Sequence, residues 1–149
     1  MFNQTMSKKE YMKASLYAVN LGGNTNFQHF EHLLTFVDQE KQERILRFYH
    51  DIDKLRCLIG DLLVRKVYME HLHVSNDALT PELSEYGKPH FPGMDLHFNI
   101  SHAGNWVVCA VHDRPVGVDV EQVIPIDLAI SASFFAESEH QDILNSIDQ

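Results

Sequence analysis

DIDKLRCLIGDLLVRKVYMEH, residues 51–71, carries the clearest helical rhythm in the chain. Ile52, Leu55, Leu58, Ile59, Leu62, Leu63, Val67 and Met69 give it one broad apolar face, and Asp51 stands where an N-cap carboxylate would start it. Such a face needs covering, so this segment is predicted to be the main core helix.

Upstream, residues 14–21 read as a strand closed by the turn cluster Gly22-Gly23-Asn24. Phe27, Phe30, Leu33, Leu34 and Val37 follow at helical spacing. Asp38 is placed to cap a second short helix through Phe48, with Ile45 and Phe48 inward and Lys41, Arg44 and Arg47 largely outward. Downstream, residues 74–95 are rich in Pro and Gly and predict loop with short extended pieces. Leu96–Ser101 then reads as a strand, Ala103-Gly104-Asn105 as a turn, and Trp106–Val111 as a strand buried on both faces. Val116–Gln122 reads as a further strand. Pro125 and Asp127 precede an expected helix through Phe135, and a last helix is expected from about Glu137 to Ile147 with Ile143, Leu144 and Ile147 inward.

Composition narrows the function classes. A chain of 149 residues, 44% apolar and 22% charged, is ordinary for a globular protein. It has no apolar run long enough for a membrane span, and the residues after Lys8 and Lys9 form no signal-peptide core. Cys57 and Cys109 are too few and too far apart for a disulfide framework or zinc site and read as small buried hydrophobes. A cytoplasmic protein is the expectation. The net charge of −9 argues against nucleic acid as a partner. That charge is unevenly spread. Residues 1–114 hold all twelve Lys and Arg against fourteen acids, whereas residues 115–149 hold seven acids and no Lys or Arg.

Four segments carry chemistry. On a strand, Val116, Val118 and Val120 would face the core while Asp119 and Glu121 emerge together, their Cα atoms roughly 6.5–7 Å apart. Two carboxylates so placed can converge on a Mg²⁺ completed by water and substrate phosphate, although an acidic solvent face has the same pattern. Asn99-Ile100-Ser101-His102-Ala103-Gly104 puts a hydroxyl and an imidazole where a strand breaks into a turn. Tyr86-Gly87-Lys88-Pro89 fixes the only Lys or Arg between Lys66 and Arg114 in a constrained turn. Lys41 and Arg44, three residues apart, share a helix face and offer two cations to a phosphate. Each of the last three is equally a surface turn or a solvated face when taken alone.

Together and in order, Glu85-Tyr86-Gly87-Lys88-Pro89, Phe98-Asn99-Ile100-Ser101-His102 and Gly117-Val118-Asp119-Val120-Glu121 resemble the Sfp-type 4′-phosphopantetheinyl transferases. Arg47-Phe48-Tyr49-His50, residues 58–65, Ser133-Phe134-Phe135 and Glu139 extend the resemblance over about residues 14–145. It implies an α+β protein with the family's pseudo-two-fold pair of α/β halves. Residues 1–113 would form the complete N-terminal half, on the CoA adenosine and phosphate side. Residues 114–149 would form a partial C-terminal half carrying the metal carboxylates. The implied reaction moves 4′-phosphopantetheine from coenzyme A to a serine of an acyl or peptidyl carrier protein, in fatty acid, polyketide or peptide synthesis. By resemblance, Asp119 and Glu121 would ligate Mg²⁺. Lys88, Ser101 and His102 would contact CoA phosphates, and Lys41 and Arg44 would hold the adenosine 3′-phosphate.

The family continues into a Trp-x-x-Lys-Glu motif whose Glu completes the metal site and serves as general base. Here no Lys follows Lys88, the only Trp is Trp106 and the only Lys-Glu pair is Lys9-Glu10. The expectation is therefore a truncated chain with no catalytic base of its own and impaired or absent turnover, since general bases contribute about 10²–10⁴-fold. An uncovered sheet edge and apolar surface in the partial half would favour self-association. A non-catalytic CoA-binding remnant and one half of a split enzyme are the alternative expectations.

Overall fold

The computed structural model describes residues 13–23, 25–125, 127 and 129–146. Residues 51–72 form helix α2, the longest element, and it lies against a three-stranded antiparallel sheet. The strands are β1 (Ser15–Asn20), β4 (His97–Ala103) and β5 (Trp106–His112), in the order β1-β5-β4. Ser15 pairs with Val111 at one end of β1 and Asn20 with Trp106 at the other, while Ala103 of β4 also meets Trp106 across the hairpin. Gly104 turns that hairpin at φ +53, a conformation costly for residues with a Cβ. As the central strand, β5 buries Val107 through Val111, while Trp106 at its end stays 46% exposed.

Helix and sheet approach closely at Gly60. A Cβ there would come within 3.3 Å of Ile100 Cγ2 and 3.7 Å of Val107 Cγ1. One core cluster lies along the C-terminal part of α2, where Val64, Val67 and Tyr68 meet Phe91, Phe98, Cys109 and Val111. Tyr68 is fully buried, gives its hydroxyl proton to the Leu96 carbonyl, and packs edge-on against Phe91 and Phe98 at centroid distances of 4.7 and 5.8 Å. The second cluster gathers Leu55 and Leu58 with Phe27, Leu34, Val37 and Ile45. These come from two short 3₁₀ turns (Phe27–His29 and Glu31–Phe36) and helix α1 (Gln39–Leu46). The loop after α2 holds a 3₁₀ turn at Asn76–Ala78 and the paired two-residue strands β2 (Glu82–Leu83) and β3 (Pro89–His90). Helices α3 (Ala129–Phe134) and α4 (Glu137–Ser146) follow, with Ile143 half-buried. Among the described residues no helix is long and apolar enough to cross a membrane.

The mixed α+β class and most elements agree with the sequence reading, and Asp38 caps α1 as expected, its Oδ1 accepting the Lys41 N–H at 2.9 Å. Several expectations are corrected. Residues 27–37 break into two 3₁₀ turns. The N-cap of α2 is His50, and Asp51 is the first helical residue. Its carboxylate instead tethers the earlier loop, accepting the Phe27 N–H at 3.1 Å and Lys54 Nζ at 3.2 Å. Phe48 is 37% exposed because α1 ends before it, and Met69 lies on the outer side of α2. Lys41 turns inward to an ion pair. Residues 116–122 form no strand, because the Val118 and Val120 amides bond to side chains of β4 rather than to its backbone. The expected exposure alternates nevertheless, with Val116, Val118 and Val120 half-buried and Asp119 and Glu121 exposed. Lys8, Lys9 and Ile147 lie outside the described residues.

Arg65, only 4% exposed, ties these pieces together. Its guanidinium donates to Asp61 at 2.6 Å, to Asp38 at 3.0 Å and to the Leu79 carbonyl at 3.1 Å. Arg65→Met should cost about 3 kcal/mol, because it strands two carboxylates, one of which keeps access to water. A lower urea midpoint would register that loss. A second expectation concerns acid. The Phe27 amide and Lys54 hold the Asp51 carboxyl below its ordinary 3.8, so its contribution is present above that value and disappears as pH falls through the folded-state value. Asp51→Asn should therefore reduce the difference in stability between about pH 7 and about pH 3. An unchanged difference would show the tether to be unimportant.

Candidate functional site

Helix α1, the N-terminal half of α2 and strand β4 enclose a cleft of about 230 Å³. Lys41 and Arg44 reach it from α1, Asp53, Arg56 and Cys57 from α2, and His102 from β4. Gly60 and Ile100 form part of its lining, where the absent Cβ lets helix and strand close together. Three permanent cations against one carboxylate make this a positive cleft in a chain of net charge −9. Local charge of this kind gathers anions irrespective of the total. A smaller depression of about 100 Å³ shares Lys41 and Arg44 and is lined also by Asp38, Glu40 and Asp61.

The cations are held differently. Lys41 Nζ lies 3.3 Å from Asp61, whose other oxygen takes Arg65 Nε, so the ammonium is tethered through half-buried Asp61 to buried Arg65. Arg56 donates to Asp53 at 3.0 Å and, through NH2 and Nε, to the Gly104 carbonyl at 2.6 and 3.2 Å. It thereby locks the β4–β5 turn beside His102. Among the described residues Arg44 makes no ion pair, so its guanidinium is the cation most available to a ligand.

Lys41, Arg44 and His102 thus come together as a group, whereas Lys88 and Ser101 do not join them in this cleft. Alternation along β4 separates Ser101 from its neighbour. Ile100 and His102 line the cationic cleft, while Asn99 and Ser101 bond to the acidic segment. The Ser101 hydroxyl donates to Asp119 Oδ1 at 2.8 Å and accepts the Val120 N–H at 3.2 Å. Lys88 sits in a tight turn, with Gly87 at φ +73 and the Lys88 N–H on Ser84 Oγ at 3.1 Å. Its ammonium lies 3.5 Å from the Val116 carbonyl, at the start of the acidic segment.

Among the described residues, no group of three or more His, Cys, Asp or Glu is gathered to hold a metal ion. Asp119 and Glu121 nevertheless suit an ion that keeps water and takes its remaining ligands from a phosphate substrate: both are exposed, all-oxygen and on one side of the segment. Arg56 and Asp53 were missed as cleft residues. Their spacing with Gly60 on one α2 face was readable, but only the fold shows what that face meets.

The frame is thus a mixed helix–sheet one, with a cationic cleft on one set of β4 side chains and an acidic segment on the other. Comparison makes the assignment specific. Residues 24–114 match the family model described as 4′-phosphopantetheinyl transferase, N-terminal, and the chain belongs to this family. It is 38% identical over 130 residues to the 4′-phosphopantetheinyl transferase Sfp of Bacillus subtilis (strain 168), covering 87% of this chain and 58% of that protein. It is 39% identical over 131 residues to 4′-phosphopantetheinyl transferase ffp of Bacillus subtilis, with the same coverage. With 4′-phosphopantetheinyl transferase gsp of Aneurinibacillus migulanus the identity is 42% over 111 residues, or 74% of this chain and 46% of that one. The chain therefore spans about half to three-fifths of the length of these relatives.

The two cysteines give a direct check on the cleft. Cys57 is half-buried on its wall, whereas Cys109 is fully buried and burial pushes its thiol up to about 12. A small alkylating reagent should label Cys57 and leave Cys109 unmodified until the protein unfolds, as read by peptide mass spectrometry.

Proposed function

We propose that this chain serves the Mg²⁺-dependent transfer of 4′-phosphopantetheine from coenzyme A to a serine of an acyl or peptidyl carrier protein, in the cytoplasm. The observation that carries the reading is the convergence of Lys41, Arg44, Arg56 and His102 on one cleft of an otherwise acidic chain. CoA is strongly anionic, and guanidinium and ammonium groups are its natural partners. Residues 1–113 would supply the nucleotide cleft and residues 114–149 the carboxylates. Lys41 and Arg44 would hold the adenosine 3′-phosphate, with His102 beside them. Lys88, at the start of the acidic segment, would meet the phosphates nearer the reacting centre. In the reaction the carrier serine oxygen bonds to the pantetheine-bearing phosphorus, the pyrophosphate bond breaks, and 3′,5′-ADP leaves. Asp119 and Glu121 would hold Mg²⁺, which offsets charge on the phosphate oxygens. None of the described residues is assigned as the base. Exposed Val123 (98%) and Phe134 (82%) support self-association as part of the same proposal.

Arg44→Gln should weaken 3′,5′-ADP binding about tenfold or more by calorimetry, since a hydrogen bond to a charged group is lost. Bound nucleotide should also protect Cys57 from alkylation. The transfer itself is read by mass spectrometry of an apo carrier protein incubated with the chain, CoA and Mg²⁺. Absence of both CoA binding and the phosphopantetheinyl adduct would overturn the proposal.

A further inference from the structure

Gly104 and Asn105 form the turn between β4 and β5, and protein donors take both of its carbonyls. The Leu21 N–H, just past β1, donates to the Asn105 carbonyl at 2.8 Å. From α2, Arg56 donates to the Gly104 carbonyl through Nη2 at 2.6 Å and Nε at 3.2 Å. Its Nη1 is anchored in turn by Asp53, three residues back on the same helix face, at 3.0 Å. Two N–H groups of a rigid fork on one acceptor constrain direction as well as distance. Arg56 and Asp53 are both half-buried, so these bonds are partly shielded from water. The turn itself has little slack: Gly104 stands at φ +53, and a Cβ there would lie 3.1 Å from Gln122 Oε1.

We infer that Arg56 is a positioning residue: by holding the Gly104 carbonyl it fixes the end of β4, and with it the His102 imidazole, against the part of α2 that lines the cationic cleft. His102 lies two residues before Gly104, is exposed, and shares the cleft with Arg56. Among the described residues its ring makes no hydrogen bond, so the course of the β4 backbone sets where it lies. Among the same residues, Arg56 is the one side chain of α2 bonded to this turn. Three of the five guanidinium N–H groups serve the turn and Asp53. The other two remain for a ligand, so the role adds to the charge that Arg56 brings to the cleft. A lysine would keep the charge and lose the fork. The effect on nucleotide affinity rests on the nucleotide reading of the cleft, whereas the hold on the turn does not.

The test is made on the full chain, first without ligand. Arg56→Lys should speed hydrogen exchange of the Leu21 amide about fivefold by NMR and shift the His102 ring resonances, while the Val108 amide in β5 stays protected. Asp53→Asn, which leaves Arg56 in place, should act in the same direction and more weakly. Calorimetry with 3′,5′-ADP then reads the consequence. Arg56→Lys should weaken binding about tenfold when His102 is present, and less than about threefold in the His102→Ala background. Combined with Arg44→Gln, the two losses should multiply to within about twofold. Losses that multiply in both backgrounds would make Arg56 a direct ligand contact alone, and losses that multiply in neither would mark a general collapse of the cleft. Either result overturns the inference, as does unchanged Leu21 exchange with unmoved His102 resonances. Should the unmodified chain bind no 3′,5′-ADP, the nucleotide reading fails, and the ligand-free exchange and resonances alone decide the inference.

Discussion

The buried guanidinium of Arg65 is the constraint on which the arrangement depends. It lies inside α2 with bonds to Asp61 in its own helix, Asp38 at the start of α1 and the Leu79 carbonyl in the following loop. A buried cation is tolerable only when its donors are satisfied, and these partners come from three different segments. Satisfying it therefore fixes where α1 begins relative to α2. Because Asp38 also caps α1 and Asp61 also holds Lys41, the same network aims α1 and its cations at the cleft. Fold and charge placement are thus one problem here.

Strand β4 performs the complementary task on the other side. Its alternating side chains serve two environments: Ile100 and His102 line the cationic cleft, while Asn99 and Ser101 hold the acidic segment. A single strand thereby serves the cationic cleft with one set of side chains and the acidic segment with the other. Arg56 adds stiffness by fastening the Gly104 turn to α2.

The fold was legible where periodicity and burial agree. The rhythm of residues 51–71 marked α2, the apolar run 106–111 marked the central strand, and Asp38 was readable as a cap because capping is local. Misreadings arose where a local signal had a distant competitor. Asp51 has the chemistry of an N-cap, but the Phe27 amide and Lys54 claim its oxygens. Residues 116–122 have the alternation of a strand, and the exposure pattern follows it, yet β4 offers side-chain acceptors in place of backbone ones.

For the candidate site, the motifs around Lys88, Ser101-His102 and Asp119-Glu121 identified the family from order and spacing alone, because residue type and sequence separation are all a motif requires. How those residues divide was decided only in three dimensions. Lys41 and Arg44 join His102, Ser101 turns away to Asp119, and Arg56 enters the cleft from a helix face that looked merely amphipathic. Linear spacing says which side chains share a face; it cannot say what that face will meet, because this depends on how the buried charges of α2 find their partners.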